Sequence, residues 1–125
     1  MQIFLIEDDI DDIELLQEAL GGISHDMHIA NDGDAAIELL KSGTIDPDII
    51  ILDLNLPKIH GREVLLEIKS LDTYHRTPLV ILTTSSATED ISYAYENGAN
   101  KYLIKPHTAD ELKAIVKTIL EVAGE

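Results

Sequence analysis

The chain has 125 residues, enough for one domain with a real core and too few for two ordinary ones. Hydrophobic residues make up 45%, which excludes a disordered acidic tail, and 24 acidic residues against 9 Lys plus Arg give a formal charge of −15. That field repels phosphate backbones, so direct nucleic-acid binding is not expected, and the absence of cysteine removes disulfides and thiolate metal sites.

The chain starts straight into Ile3-Phe-Leu-Ile6 without a basic leader, and no apolar run approaches a membrane span; a soluble cytoplasmic protein with no membrane contact is expected. From there strand-like and helix-like segments alternate five times, the pattern of a parallel sheet. Ile3 to Ile6 reads as a short strand. Glu7, Asp8 and Asp9 follow, then a helix with Ile10, Ile13, Leu16 (or Leu15) and Leu20 at helical spacing, stopped by Gly21-Gly22. Asp9 suits the N-cap or first turn, and the acidic start complements the helix dipole. Met27 to Ala30 is a weaker strand near an edge. Asn31-Asp-Gly33 turns into a second helix, Ala35 to Lys41, with Ile37 and Leu40 inward.

The central stretch is Asp48-Ile-Ile-Ile-Leu-Asp-Leu-Asn-Leu-Pro57. Its four consecutive aliphatics, Ile49 to Leu52, suit a strand covered on both faces, and it ends on Asp53. Lys58 to Gly61 is a loop; a helix follows over about 62–71 with Val64, Leu65 and Ile68. The polar segment Asp72 to Thr77 leads through Pro78 into a strand, Leu79 to Leu82, ending on Thr83. After the small polar run Thr84 to Thr88, a helix over about 89–97 is stopped by Gly98. Tyr102 to Ile104 is the last strand, followed by Lys105-Pro106. The final helix, about Ala109 to Val122, buries Leu112, Ile115 or Val116, and Ile119, and leaves no attached output domain. The five histidines have no metal-ligand spacing and read as surface or loop residues, with only His107 near Lys105.

Four apolar strands therefore each deliver a polar residue just past their end: Glu7 and Asp8, Asp53, Thr83, and Lys105. In open α/β sheets chemistry collects at the carboxyl ends of strands. Carboxylates brought together there repel by roughly 1 kcal/mol per pair at 4 Å in water and about 4 at an effective dielectric near 20. A cation must offset them. Lys105 supplies one charge, and the remaining oxygen ligands suit Mg²⁺. Phosphoryl transfer onto a carboxylate, with Asp53 as nucleophile, is the chemistry such a set supports.

Ile6-Glu-Asp-Asp9, Ile51-Leu-Asp-Leu-Asn-Leu-Pro57, Leu82-Thr-Thr-Ser-Ser86, Gly98-Ala99 and Tyr102-Leu-Ile-Lys-Pro106 follow one another in this order. As an ordered set they resemble a CheY-like response-regulator receiver domain over essentially residues 1–125. Asn55 to Leu65, with Asp90, Ile91 and Tyr95, is similar to the single-domain regulators that partner bacterial phytochrome kinases; His60 stands where that subgroup often has an acidic residue. The resemblance implies a flavodoxin-like (βα)5 fold, a doubly wound five-stranded parallel sheet in the order 2-1-3-4-5 with five helices. It also implies a two-component phosphoacceptor that catalyses only its own phosphorylation and dephosphorylation. Asp53 would accept the phosphoryl group from a sensor histidine kinase, of phytochrome photoreceptor type in the subgroup. Asp8 would ligate Mg²⁺ directly, Glu7 mostly through water, with Asp53 and the Asn55 backbone carbonyl completing the protein ligands. Thr83 and Tyr102 would form the switch pair, and Lys105, aimed by a cis bond to Pro106, would hold the phosphoryl group.

Asn55 and Ser85, two residues after Asp53 and Thr83, would tune the lifetime of the acyl phosphate; small and polar, they leave room for water and predict minutes or less. The face of the fourth helix, fifth strand and fifth helix would bind a downstream protein, a histidine phosphotransfer protein in a relay, or a second copy. There Ala94 is expected to face the core, and Tyr95 either to lie at least partly exposed in that surface or to fill the core. Other readings need features this sequence lacks. An aspartyl phosphohydrolase commonly has a carboxylate where Asn55 stands, and a nucleotide or flavin binder has a glycine-rich loop after the first strand. A receiver-like module that binds partners without phosphorylation would normally have lost a site residue.

Overall fold

Strands without polar alternation need cover on both faces, and the fold provides it. In the computed structural model, which describes residues 1–124, one parallel sheet has the order β2-β1-β3-β4-β5. Its strands are β1 (Gln2–Ile6), β2 (Asp26–Ala30), β3 (Ile49–Leu52), β4 (Leu79–Thr83) and β5 (Lys101–Ile104). The helices between and after them are α1 (Ile10–Ala19), α2 (Gly33–Ser42), α3 (Gly61–Ser70), α4 (Thr88–Glu96) and α5 (Ala109–Ala123). The doubly wound fold and its strand order are those expected.

Alternate residues of the central strands divide between two cores. Phe4, Ile6, Ile50, Leu52, Leu79 and Ile81 pack on one side with residues of α2, α3 and α4. Ile3, Leu5, Ile49, Ile51, Val80 and Leu82 pack on the other with α1 and α5. Ala94 is fully buried, whereas Tyr95 is 47% exposed.

The α1 stripe differs in part from expectation. Ile13, Leu16 and Leu20 are buried, but Leu15 is exposed and Ile10 is 67% exposed. Ile10 is the first residue of α1, immediately after the acidic loop, and helical spacing alone does not place apolar surface beneath a helix's first turn. In α5 both Ile115 and Val116 are buried, with Leu112 only half-buried.

The polar segment after α3 hides one anchor. Tyr74 is buried, its hydroxyl 3.0 Å from the Leu40 carbonyl oxygen and 3.1 Å from that of Ile45. This fastens two loops at the amino ends of the strands, away from the tips that carry Asp53 and Thr83.

Candidate functional site

The register of the sheet makes the site. β1 pairs with β3 through Ile6 opposite Leu52, so the residues that follow, Glu7 and Asp53, leave the sheet side by side. Asp53 N–H still donates to the Ile6 carbonyl, at 3.0 Å. β4 pairs with β3 on the other side and ends on Thr83, and the Lys105 N–H donates to the Thr83 carbonyl at 2.8 Å. Glu7, Asp53 and Thr83 are the only buried polar or charged residues among those described.

The turn out of β3 is held by the start of α3. Gly61 N–H donates to the Leu54 carbonyl at 2.9 Å, and a Cβ on Gly61 would collide with the Leu54 Cα and the Asp53 carbonyl oxygen. Only glycine allows α3 to press this closely against the chain carrying Asp53. His60 caps α3: its Nδ1 accepts from the Arg62 N–H at 3.1 Å, the service an acidic side chain gives at an N-cap. Asp9 caps α1 by accepting from the N–H groups of Asp11 and Asp12, as its position suggests.

Lys105 occupies the middle of the site. Its Nζ lies 2.7 Å from Glu7 Oε1, 2.9 Å from Asp53 Oδ2 and 2.7 Å from Asp12 Oδ2. No peptide bond is cis among the described residues, so Lys105–Pro106 is trans, against expectation. The Lys105 N–H continues the β5 ladder, and from there the long side chain reaches the acids without a cis bond. Asp12 was not singled out by sequence. Its signal is positional: it lies four and eight residues before Leu16 and Leu20, on the stripe that faces inward.

Glu7, Asp8 and Asp53 each offer a carboxylate oxygen, and these lie within 4.8 Å of one another. Three hard oxygens converging from a buried wall and an exposed rim fit a divalent cation of the Mg²⁺ type. Glu7 Oε2 also accepts from the Asp8 and Asp9 N–H groups at 3.1 and 3.2 Å. Even so, burial pushes Glu7 up to about 7; Lys105 opposes the rise and the Asp53 charge adds to it. Burial also disfavours ionisation of Asp53. There the Lys105 ammonium, the Asn55 N–H at 3.1 Å and a hydrogen bond from Glu7 outweigh it, and Asp53 is held below the usual carboxylate range. Burial works against the Lys105 charge as well, but its bonds to Asp12, Glu7 and Asp53 raise it above the usual lysine value. The result is an ionised, nearly inaccessible Asp53 beside a fixed ammonium.

Asn55 and Ser85 stand at the rim. Asn55 Nδ2 lies 3.4 Å from Thr83 Oγ1 and 3.1 Å from Thr84 Oγ1. The Ser85 hydroxyl donates to Asp90 Oδ2 at 2.7 Å. Tyr102 is half-buried, with its hydroxyl donating to the Ser85 carbonyl at 2.9 Å and its N–H donating to the Tyr95 hydroxyl at 3.0 Å. His107 is exposed beyond Pro106; His28 lies in edge strand β2, also exposed.

Comparison with known proteins agrees with this geometry. Residues 3–117 match the model of the response regulator receiver domain. The chain is 41% identical to response regulator Rcp1 of Synechocystis sp. over 94% of its length and 84% of that protein. It is 38% identical to the probable methanogenesis regulatory protein FilR2 of Methanothrix harundinacea, over 95% of the chain and 81% of the relative. The crystal structure of the phosphorylated cyanobacterial phytochrome response regulator RcpA superposes with a TM-score of 0.88 at 43% identity, covering 96% of this chain and 91% of that one. The Mn²⁺-bound form of Rcp1 gives 0.87 at 40%, with the same coverage. The chain therefore belongs to the response regulator receiver domain family of two-component signalling.

Proposed function

We propose that Asp53 is the phosphoacceptor, that Glu7, Asp8, Asp53 and the Asn55 backbone carbonyl hold Mg²⁺, and that Lys105 and Thr83 receive the phosphoryl oxygens. The observation that carries this is the buried Asp53 carboxylate, 2.9 Å from the Lys105 ammonium and within the converging acid trio. Asp53 Oδ2 would attack the phosphorus of a phosphohistidine on the sensor kinase; the P–N bond breaks, and the imidazole nitrogen keeps the electron pair. When bound, Mg²⁺ offsets negative charge on the acids and the phosphoryl oxygens. Lys105 then moves its hydrogen bond from the carboxylate to a phosphoryl oxygen, and the Thr83 hydroxyl donates to another. Asn55 and Ser85 leave room for hydrolytic water, which sets an acyl-phosphate lifetime of minutes or less; one of many hours without a phosphatase would overturn that role.

Thr83 and Tyr102 couple this event to the α4–β5–α5 face, which meets a downstream protein, a histidine phosphotransfer protein or a second copy. The likeness to Rcp1 and RcpA supports a phytochrome-type kinase as donor, and no helix among the described residues is long and apolar enough to cross a membrane, which supports a cytoplasmic setting. Incubation with acetyl phosphate or beryllofluoride tests the reading by mass spectrometry or NMR. A Mg²⁺-dependent adduct on the wild type, lost in Asp53→Asn, is expected. No adduct on the wild type favours a module that binds partners without phosphorylation.

A further inference from the structure

Lys105 has three carboxylate partners, yet only Glu7 and Asp53 belong to the trio whose oxygens converge. The third, Asp12, comes from the first turn of α1, 93 residues away, and its side chain is 35% exposed against 12% for Lys105. It draws the ammonium toward α1, to the edge of a cavity of about 40 Å³ that Asp12 and Lys105 line together with Leu16, Leu82 and Pro106.

An ammonium within 2.9 Å of Glu7 and Asp53 leans on two of the three carboxylates a divalent ion would use. The two cations compete, and each repels the other at short range. A carboxylate outside the trio changes that balance, because the lysine can lean on it when the metal claims the other two. We propose that Asp12 is a positioning residue for Lys105: its ion pair keeps the ammonium in the site while yielding Glu7 and Asp53 to Mg²⁺. This rests on the reading of the trio as a Mg²⁺ site. Without Asp12 the lysine has only Glu7 and Asp53, grips them harder, and one attracting negative charge is gone. Both effects weaken the metal.

Titration calorimetry with MgCl₂ tests this on the wild type, Asp12→Asn and Asp11→Asn, the last an identical charge change at an exposed neighbour. Asp12→Asn is repeated in a Lys105→Met background. Asp12 is not part of the apolar core, and thermal melts in EDTA establish that each variant folds. Asp12→Asn is expected to bind Mg²⁺ about tenfold more weakly, the lower end of the range for groups that act on metal ligands from outside, because Asp12 acts on Glu7 and Asp53 through Lys105. Asp11→Asn should lose less than about threefold, and Asp12→Asn in Lys105→Met likewise, because no lysine is left to position. An unchanged affinity in Asp12→Asn overturns the proposal, as does an equal loss in Asp11→Asn or an undiminished loss in Lys105→Met. A wild type that takes up no Mg²⁺ overturns the metal reading and this proposal with it, whereas a binding wild type with an indifferent Asp12→Asn overturns this proposal alone.

Discussion

The Tyr102 hydroxyl donates to the carbonyl of Ser85 at 2.9 Å, tying β5 to the loop that follows Thr83. Tyr102→Phe removes that bond while keeping the ring, and should lower stability by about 1 kcal/mol in urea unfolding. If Tyr102 transmits the signal, beryllofluoride should still shift the amide resonances of the strand tips in Tyr102→Phe, but those of α4 and β5 much less. A full response in α4 removes Tyr102 from the switch.

Tyr95 is 47% exposed and its hydroxyl accepts the Tyr102 N–H across β5. Tyr95→Ala should therefore cost about 1 kcal/mol, the scale of one hydrogen bond, and not the roughly 3–5 kcal/mol of a deleted core aromatic. Sedimentation of the beryllofluoride form should show weaker self-association or partner binding. A loss of several kcal/mol with association intact would make Tyr95 a core filler.

Gly61→Ala places a methyl group into the Leu54 and Asp53 backbone, which cannot rotate aside. We expect a loss of about 3 kcal/mol in chemical unfolding, because a forced backbone shift belongs to the upper end of overpacking effects. Mg²⁺ affinity should fall as well, since the shifted segment carries Asp53. A neutral Gly61→Ala contradicts the close approach of α3.

Glu7 is raised from 4.5 to about 7, so the folded chain holds this proton more tightly than the unfolded chain does. The associated stability is fully present below about pH 4.5 and is lost as pH rises through 7. In EDTA, wild type should therefore lose stability relative to Glu7→Gln between pH 5 and pH 8, by up to about 3 kcal/mol. Parallel pH profiles for the two proteins, measured by urea unfolding, would show that Glu7 ionises normally.

Much of this was legible before any coordinates. Unbroken aliphatic runs ending in Glu7, Asp53 and Thr83 determine both sheet and site, because burial on two faces and a polar exit leave few other arrangements. Asp9 and Ala94 lie where capping chemistry and helical spacing put them. What stayed hidden depended on tertiary distance. Asp12 resembled one more charge complementing a helix dipole until Lys105 arrived from 93 residues away. Tyr74 sat in a polar stretch whose only hint of burial was the ring itself. The resemblance implies a cis bond before Pro106, whereas that bond is trans, and the reach of Lys105 does not require the other isomer.

The phenol of Tyr74 gives the molecule a lengthwise asymmetry. The connections that lead into β3 and β4 are pinned together by an uncharged hydroxyl bridging two carbonyls, a fastening indifferent to ionic strength. The opposite end hangs on a lysine among acids, whose grip depends on dissolved ions and attached groups. Should phosphorylation of Asp53 remodel the strand tips as proposed, the change would meet a base whose fastening carries no charge to answer it, and would be spent on reshaping one surface.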